Sequence, residues 1–267
     1  MKQFFTTPAM RRCFHIPVLL IAGILLLCTA ELPAVDKMLF PQASKGTPQP
    51  GGNMVLSCGA NRLDAFFSKG EAGMPVILYS HGNGETLPMI MPLLKSFCRR
   101  GYSVMAYDYS GYGASTGYPG EKQAYKDVEA AYNYLTAQQK IAPANIVVIG
   151  FSVGSGPSCY IAEKYPVKAV VIISGFASAA QVLLPFSVPF DKFPNAERLS
   201  KSAVPLLIFH GRSDRIVPIR NGEKLLRASV ARHKQMHYEN AGHNDIFYKT
   251  VNFFGKLEKF LATCPAP

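Results

Sequence analysis

The stretch Asn145–Gly156, Asn-Ile-Val-Val-Ile-Gly-Phe-Ser-Val-Gly-Ser-Gly, decides how this chain is read. Ile146 to Gly150 is uncharged and mostly β-branched, the composition of a short strand buried on both faces. It runs into Gly150-Phe151-Ser152-Val153-Gly154, a Gly-x-Ser-x-Gly pattern, and Ser155 to Tyr165 then reads as a helix ending before Pro166. A serine on a sharp strand-to-helix turn is forced into a strained backbone conformation, and the flanking glycines let strand and helix approach closely. Its hydroxyl is held at the top of a sheet beside a helix N-terminus, where developing negative charge is favoured. Gly-x-Ser-x-Gly alone occurs by chance in many chains; the strand before it and the helix after it give it weight.

Outward from this turn, strands and helices alternate. Asn53–Ser57, Arg62–Ser68, Pro75–Ser80, Tyr102–Asp108, Lys168–Ser174, Val204–His210 and Lys234–Glu239 read as strands. Pro88–Arg100, Glu121–Gln138, Arg220–Val230 and Asn244–Thr263 read as helices, the second with Ala124, Val128, Ala131 and Leu135 on one face. This alternation predicts an α/β fold whose central sheet is mainly parallel and covered by helices on both faces. Ligands in such sheets bind beyond the carboxyl ends of the strands, where each motif discussed here falls.

At 267 residues and 48% hydrophobic content, the chain suits one large domain over residues 53–267, with no internal linker dividing it. Residues 1–30 read as a signal peptide or N-terminal membrane anchor. Lys2, Arg11 and Arg12 precede Phe14–Cys28, a nearly unbroken apolar run long enough for a signal-peptide core but short for a full span. Cys28-Thr29-Ala30 is a tolerable cleavage site, and an exported or membrane-tethered protein is expected. Residues 31–52, which include Phe40-Pro41, form a connector.

The net charge is +11, and from Glu31 onward 25 basic residues still face 17 acidic ones. No Lys/Arg run with interleaved aromatics appears, which argues against nucleic acid, whereas an anionic membrane surface is a possible partner. Six cysteines at 13, 28, 58, 98, 159 and 264 show neither Cys-x-x-Cys nor metal spacing, so no metal is expected. No cofactor is expected either: after Gly111-Tyr112-Gly113 the next glycine is Gly117, one residue too far for a dinucleotide fingerprint, and no Walker lysine occurs.

A serine hydroxyl needs a base, normally a histidine oriented by a carboxylate. In folds with this strand–turn–helix nucleophile the chain order is Ser, then Asp or Glu, then His. Of six histidines only His243, in Asn240-Ala241-Gly242-His243-Asn244-Asp245, occupies a loop after the final strand, so it is the candidate base. Asp214, in His210-Gly211-Arg212-Ser213-Asp214, follows the preceding strand and is the candidate acid; the bland alternative is a salt bridge to Arg212 or Arg215. Asp108 ends an earlier strand on the wrong side of the nucleophile, and Asp245 is placed to cap the last helix. An oxyanion needs two backbone N–H groups, expected from Val153 and from Asn83 in His81-Gly82-Asn83-Gly84, with Gly84 and Glu85 as alternatives.

These motifs, together with Asp108-Tyr109-Ser110-Gly111-Tyr112-Gly113-Ala114-Ser115, resemble the α/β-hydrolase superfamily in order and spacing, from about Met38 to Phe260. The chain looks most like the branch of monoacylglycerol-lipase-like and membrane-anchored acyl hydrolases (serine aminopeptidase-type), where a hydrophobic N-terminus is followed by a Phe-Pro segment. The resemblance implies the α/β-hydrolase fold and a Ser152–His243–Asp214 triad. It is uninformative about substrate, since the superfamily holds lipases, esterases, thioesterases and peptidases. Ser110 departs from the many relatives with a basic residue in that loop.

The expected function is serine hydrolysis of carboxylic esters or thioesters of acyl, lipid-like small molecules, with peptidase or amidase activity, or a non-catalytic binding protein, as alternatives. Residues 176–203 are expected to arch over Ser152 as a small lid, with Leu183, Leu184 and Phe186 contacting the acyl chain. Phe176, Val182, Val188, Phe190 and Phe193 add to its apolar character, and the bland alternative is that these side chains simply pack against the domain.

Overall fold

The computed structural model describes residues 39–40, 50–186, 188 and 191–265. The leader over 1–30, most of the 31–52 connector, and Ser187, Pro189 and Phe190 of the expected lid lie outside the described residues. Eight strands form one sheet: β1 (Met54–Cys58), β2 (Asn61–Ser68), β3 (Val76–Ser80), β4 (Ser103–Tyr107), β5 (Ile146–Phe151), β6 (Ala169–Ile173), β7 (Leu206–Gly211) and β8 (Lys234–Glu239). Their spatial order is β1-β2-β4-β3-β5-β6-β7-β8. β1 and β2 pair antiparallel and β2 joins β4 antiparallel; every other pairing is parallel.

Strand β5, which leads into Ser152, is central, and every one of its residues is buried. Successive side chains of a strand point to opposite faces. Val148 therefore joins a core with Val128, Ile161 and Leu225 from α2 (Glu121–Asn133), α3 (Ser155–Lys164) and α5 (Arg220–Ala228). Val147 and Ile149 join a second core with Leu94 and Phe97 of α1 (Leu87–Cys98) and Leu257 and Phe260 of α7 (Phe253–Thr263). Two covered faces are why the parallel strands read as unbroken apolar runs rather than as alternations. Phe40, from the connector, is also buried, its ring 5.6 Å from Tyr109 and 5.9 Å from Phe193.

Two expectations are corrected. The helix from Glu121 is α-helical only to Asn133, and Tyr134–Gln138 continues as a π turn. The closing helix is two, α6 (Ile246–Lys249) and α7. Asn252 breaks it, adopting a left-handed φ of 54° and accepting from the Gly255 amide at 3.2 Å. Asn tolerates that conformation and caps a new helix, which an apolar period does not reveal. Within the segment expected to form a lid, Phe176 and Phe193 are buried in the core, and Val182 packs against it. A short helix, α4 (Asn195–Leu199), returns the chain to β7.

The strand–helix crossing at Ser152 leaves no spare volume. A Cβ on Gly154 would lie 2.1 Å from the Ser80 carbonyl oxygen, a backbone atom that cannot step aside. Gly154→Ala is expected to destabilise the fold by about 1–3 kcal/mol, the usual cost of overpacking, read as a lower urea midpoint at unchanged slope. A midpoint equal to that of the native chain would show that the crossing has room.

Candidate active site

Ser152 follows β5 directly and opens a single 3-10 turn, Ser152–Gly154, that passes into α3. Its φ is 52°, in the left-handed region that costs a non-glycine residue roughly 1–2 kcal/mol. The turn is locked from both sides: a Cβ on Gly150 would meet the Gly154 carbonyl oxygen at 2.3 Å, and the Ser155 hydroxyl donates to the Ser152 carbonyl at 2.7 Å.

Asp214 lies in the loop after β7 and His243 in the loop after β8, so neighbouring parallel strands deliver both to the same end of the sheet as Ser152. His243 Nδ1 is 2.8 Å from Asp214 Oδ2, and His243 Nε2 is 2.9 Å from Ser152 Oγ. All three residues are buried. With its proton on Nδ1 directed at Asp214, the imidazole leaves Nε2 free to accept from the serine hydroxyl. The other Asp214 oxygen accepts from the Ile216 and Val217 amides at 3.0 and 2.8 Å, which fixes the carboxylate plane. The two loops also bind each other, Ser213 N donating to Ala241 O at 3.0 Å. Gly211 permits this approach, since a Cβ there would lie 2.3 Å from Ala241 O.

Asp214 forms no ion pair with Arg212 or Arg215 among the described residues. Asp245 stands before α6, but its side chain turns back to accept from the Gly242 amide at 2.6 Å and pairs with Lys249 at 2.7 Å. It thus shapes the His243 loop instead of capping the helix as expected. Asp108 serves another element: its Oδ1 accepts from the Leu87 amide at 2.7 Å, holding the first turn of α1 behind the loop of His81 to Thr86. In that loop Glu85 Oε2 accepts from the Gly82 amide at 2.6 Å, and Tyr109 donates its hydroxyl hydrogen to His81 O at 2.8 Å. Asn83 is exposed at the loop's tip, whereas Val153 is buried in the turn of Ser152. Ser110 donates both its amide and its hydroxyl to the buried Asp127, each at 2.8 Å.

One residue near the site was not singled out from sequence. His210 is fully buried, its Nε2 2.8 Å from Val217 O and 3.6 Å from Asp214 Oδ2. Burial lowers its pKa, which keeps it neutral and able to donate to that carbonyl, closing the turn whose amides hold Asp214. Its position four residues before Asp214, at a strand end, was the available signal. His237 and His233 are remote from this chemistry, stacked on Phe209 and Phe260. Beside His243 lies a recess of about 430 Å³ lined by Arg215, Ile216, Asn244 and Tyr248 among others. Leu183, Leu184 and Phe186 do not line it; all three are exposed. Among the described residues no group of three or more His, Cys, Asp or Glu is placed to hold a metal.

Burial pushes the Asp214 carboxyl up, but His243, through its hydrogen bond and its charge, and the Val217 amide pull harder, holding it below the ordinary 3.8. A depressed carboxyl contributes stability that is complete above pH 3.8 and lost as pH falls through the folded value. The stability gap between the native chain and Asp214→Asn, followed by urea unfolding, is therefore expected to narrow below pH 3.8. A gap constant across that range would mean that the native contacts do not favour the ionised form.

A serine held at φ 52° where a central parallel strand enters a helix, with aspartate and histidine delivered from the ends of β7 and β8, defines the α/β-hydrolase class. The family profile for the alpha/beta hydrolase fold matches residues 75–196. The chain is 36% identical over 198 residues to human alpha/beta hydrolase domain-containing protein 17B, covering 72% of this chain and 69% of that one. It is 34% identical over 190 residues to alpha/beta hydrolase domain-containing protein 17C of Xenopus tropicalis, spanning 61% of that protein's length. An esterase of Pyrococcus furiosus superposes with a TM-score of 0.67 at 17% identity, over 83% of this chain and 97% of that one. An enol-lactonase of Burkholderia xenovorans LB400 does so with 0.61 at 17%, over 78% of this chain and 100% of that one. This protein belongs to the α/β-hydrolase superfamily.

Proposed function

We propose that the chain is a serine hydrolase that cleaves carboxylic esters or thioesters of acyl, lipid-like substrates through an acyl-enzyme. The observation that carries this reading is His243 bridging Ser152 at 2.9 Å and Asp214 at 2.8 Å. In this reaction Ser152 Oγ attacks the substrate carbonyl carbon while His243 Nε2 takes the hydroxyl proton. The carbonyl oxygen becomes an oxyanion, which the amides of Val153 and Asn83 are proposed to receive. His243 then gives its proton to the departing alcohol or thiol, leaving Ser152 acylated. Water repeats the attack with His243 as base, releasing the carboxylic acid and restoring the serine. Asp214 keeps the imidazole in the required tautomer and stabilises its cation throughout.

Ser152→Ala is expected to abolish hydrolysis of p-nitrophenyl esters and labelling by a fluorophosphonate probe while leaving the unfolding transition in place. His243→Ala is expected to lower kcat by roughly 10⁶-fold and Asp214→Asn by roughly 10⁴-fold, because triad members act as a unit. His233→Ala serves as the control. Labelling at a residue other than Ser152, or full activity in Ser152→Ala, sinks the reading.

The acyl class is supported by the apolar rim of the site, where Ile216 and Tyr248 line the recess beside His243 and stand exposed. Each methylene covered there contributes up to about 0.8 kcal/mol, so kcat/KM is expected to rise from acetyl to octanoyl esters. A flat chain-length profile removes the acyl preference. We further propose that residues 1–30 export or tether the protein. Cell fractionation is expected to find the full chain with membranes or outside the cytosol and a chain starting at Glu31 in the cytosol; fully cytosolic recovery of both refutes the tether.

A further inference from the structure

Large apolar side chains left in water are unevenly placed on this molecule. Most of those exposed among the described residues sit on segments that follow the carboxyl ends of the parallel strands, the end that holds Ser152. Leu183 and Phe186 follow β6 with 74% and 60% of their surface exposed. Ile216 follows β7, and Tyr248 and Val251 follow β8 with 90% and 78% exposed. Because Ile216 and Tyr248 also line the recess beside His243, this apolar face runs up to the site itself. Exposed apolar groups gathered at one end of a fold mark a surface that meets a partner.

The charge on the same face is positive. Arg215 is exposed in the His243 recess. Arg220 and Lys224, on the first turns of α5, reach under the segment that carries Leu183 and Phe186. Arg220 donates to Val182 O at 3.1 Å, and Lys224 donates to Pro185 O and Gln181 Oε1, each at 2.7 Å. These cations hold the loop in place through neutral oxygens, so no carboxylate in those contacts cancels their charge. Of the carboxylates on these segments, Asp214 takes His243, Asp245 takes Lys249, and Asp191 accepts from the Ala180 amide at 2.9 Å, while Glu223 lies on the same helix as Arg220 and Lys224. From Lys192 to Lys234 the chain has ten Lys/Arg against three Asp/Glu, Asp214 among them.

Apolar tips ringed by Arg and Lys, with a tyrosine at the edge, are the chemistry of a protein resting on an anionic bilayer: the tips enter the acyl boundary and the cations sit among the headgroups. We propose that the face around Ser152 docks on anionic lipid, with Leu183 and Phe186 entering the bilayer and Arg215, Arg220 and Lys224 at headgroup level. Docked in this way, the site receives an acyl chain directly from the membrane. That consequence rests on reading Ser152 as the nucleophile of an acyl hydrolase; the docking does not.

The chain contains no tryptophan, so Phe186→Trp in the full chain carries the sole indole. Val230→Trp is the companion, exposed beyond the far end of α5, away from Ser152. Any insertion of the N-terminal leader acts equally on both. Each variant is mixed with vesicles of phosphatidylcholine alone, and of phosphatidylcholine with phosphatidylserine, carrying brominated acyl chains. The expected result is a blue shift and quenching of Phe186→Trp on the phosphatidylserine vesicles, weakened by salt, with little change for Val230→Trp. No response of Phe186→Trp, an equal response of both variants, or an equal response on phosphatidylcholine alone overturns the proposal. A response only to an acylated peptide assigns the face to a protein partner and overturns it too. An unfolding transition in urea matching that of the native chain shows that the variant is folded; if it is lost, Leu183→Trp replaces it with the same outcomes. Adding Ser152→Ala to Phe186→Trp separates the two readings, because docking is expected to survive when catalysis does not.

Discussion

Ser152 keeps a backbone conformation that an L-residue resists, and its neighbours hold it there. Strand β5 and helix α3 meet so closely that Gly150 and Gly154 have no room for a Cβ, and Gly154 lies against the carbonyl of Ser80 on β3. Relaxing φ at Ser152 would drive the strand, the helix and the neighbouring strand apart. The cost of the turn is thus carried by two cores, since β5 places Val148 in one and Val147 and Ile149 in the other. A serine mounted in this way does not depend on loop order for its position.

Its partners are mounted differently. Asp214 and His243 sit on loops, and those loops gain rigidity from each other and from backbone groups. The Ile216 and Val217 amides fix the carboxylate, His210 closes the same turn through Val217 O, and Gly211 lets the two loops touch at Ala241. Asp245 draws in Gly242 immediately before His243. Each contact acts on the orientation of a ring or a carboxylate rather than on the reacting atoms, which is how a hydrogen-bonded pair remains aligned before substrate arrives.

A second polar layer supports the opposite wall. Asp108 holds the start of α1, and Tyr109 and Glu85 hold the loop of His81 and Gly82. Asp127, whose carboxyl is pushed up by burial, gathers Ser110, Gln123 and Cys58. The small Ser110 binds that buried carboxylate with two donors, its amide and its hydroxyl. Cys58, pushed up to about 12 chiefly by burial, stays a protonated donor in this group.

The sequence by itself determined the strand order of chemistry. Strands leading into Gly-x-Ser-x-Gly, His-Gly and Gly-His place Ser152, Asp214 and His243 at carboxyl ends, because parallel strands connected by helices must point the same way. It also singled out His243, the one histidine that follows the last strand. It did not reveal His210, whose part depends on a carbonyl seven residues away that folds back over it. Nor did it reveal the break at Asn252, which needs a left-handed residue rather than a change in apolar period. The apolar segment after β6 shows the limit most clearly. Composition alone treats Phe176, Leu183, Phe186 and Phe193 alike, yet Phe176 and Phe193 are buried while Leu183 and Phe186 stand in water. Only the tertiary structure divided them, because burial depends on which side chains the surrounding helices can reach, and a sequence carries no record of that distance.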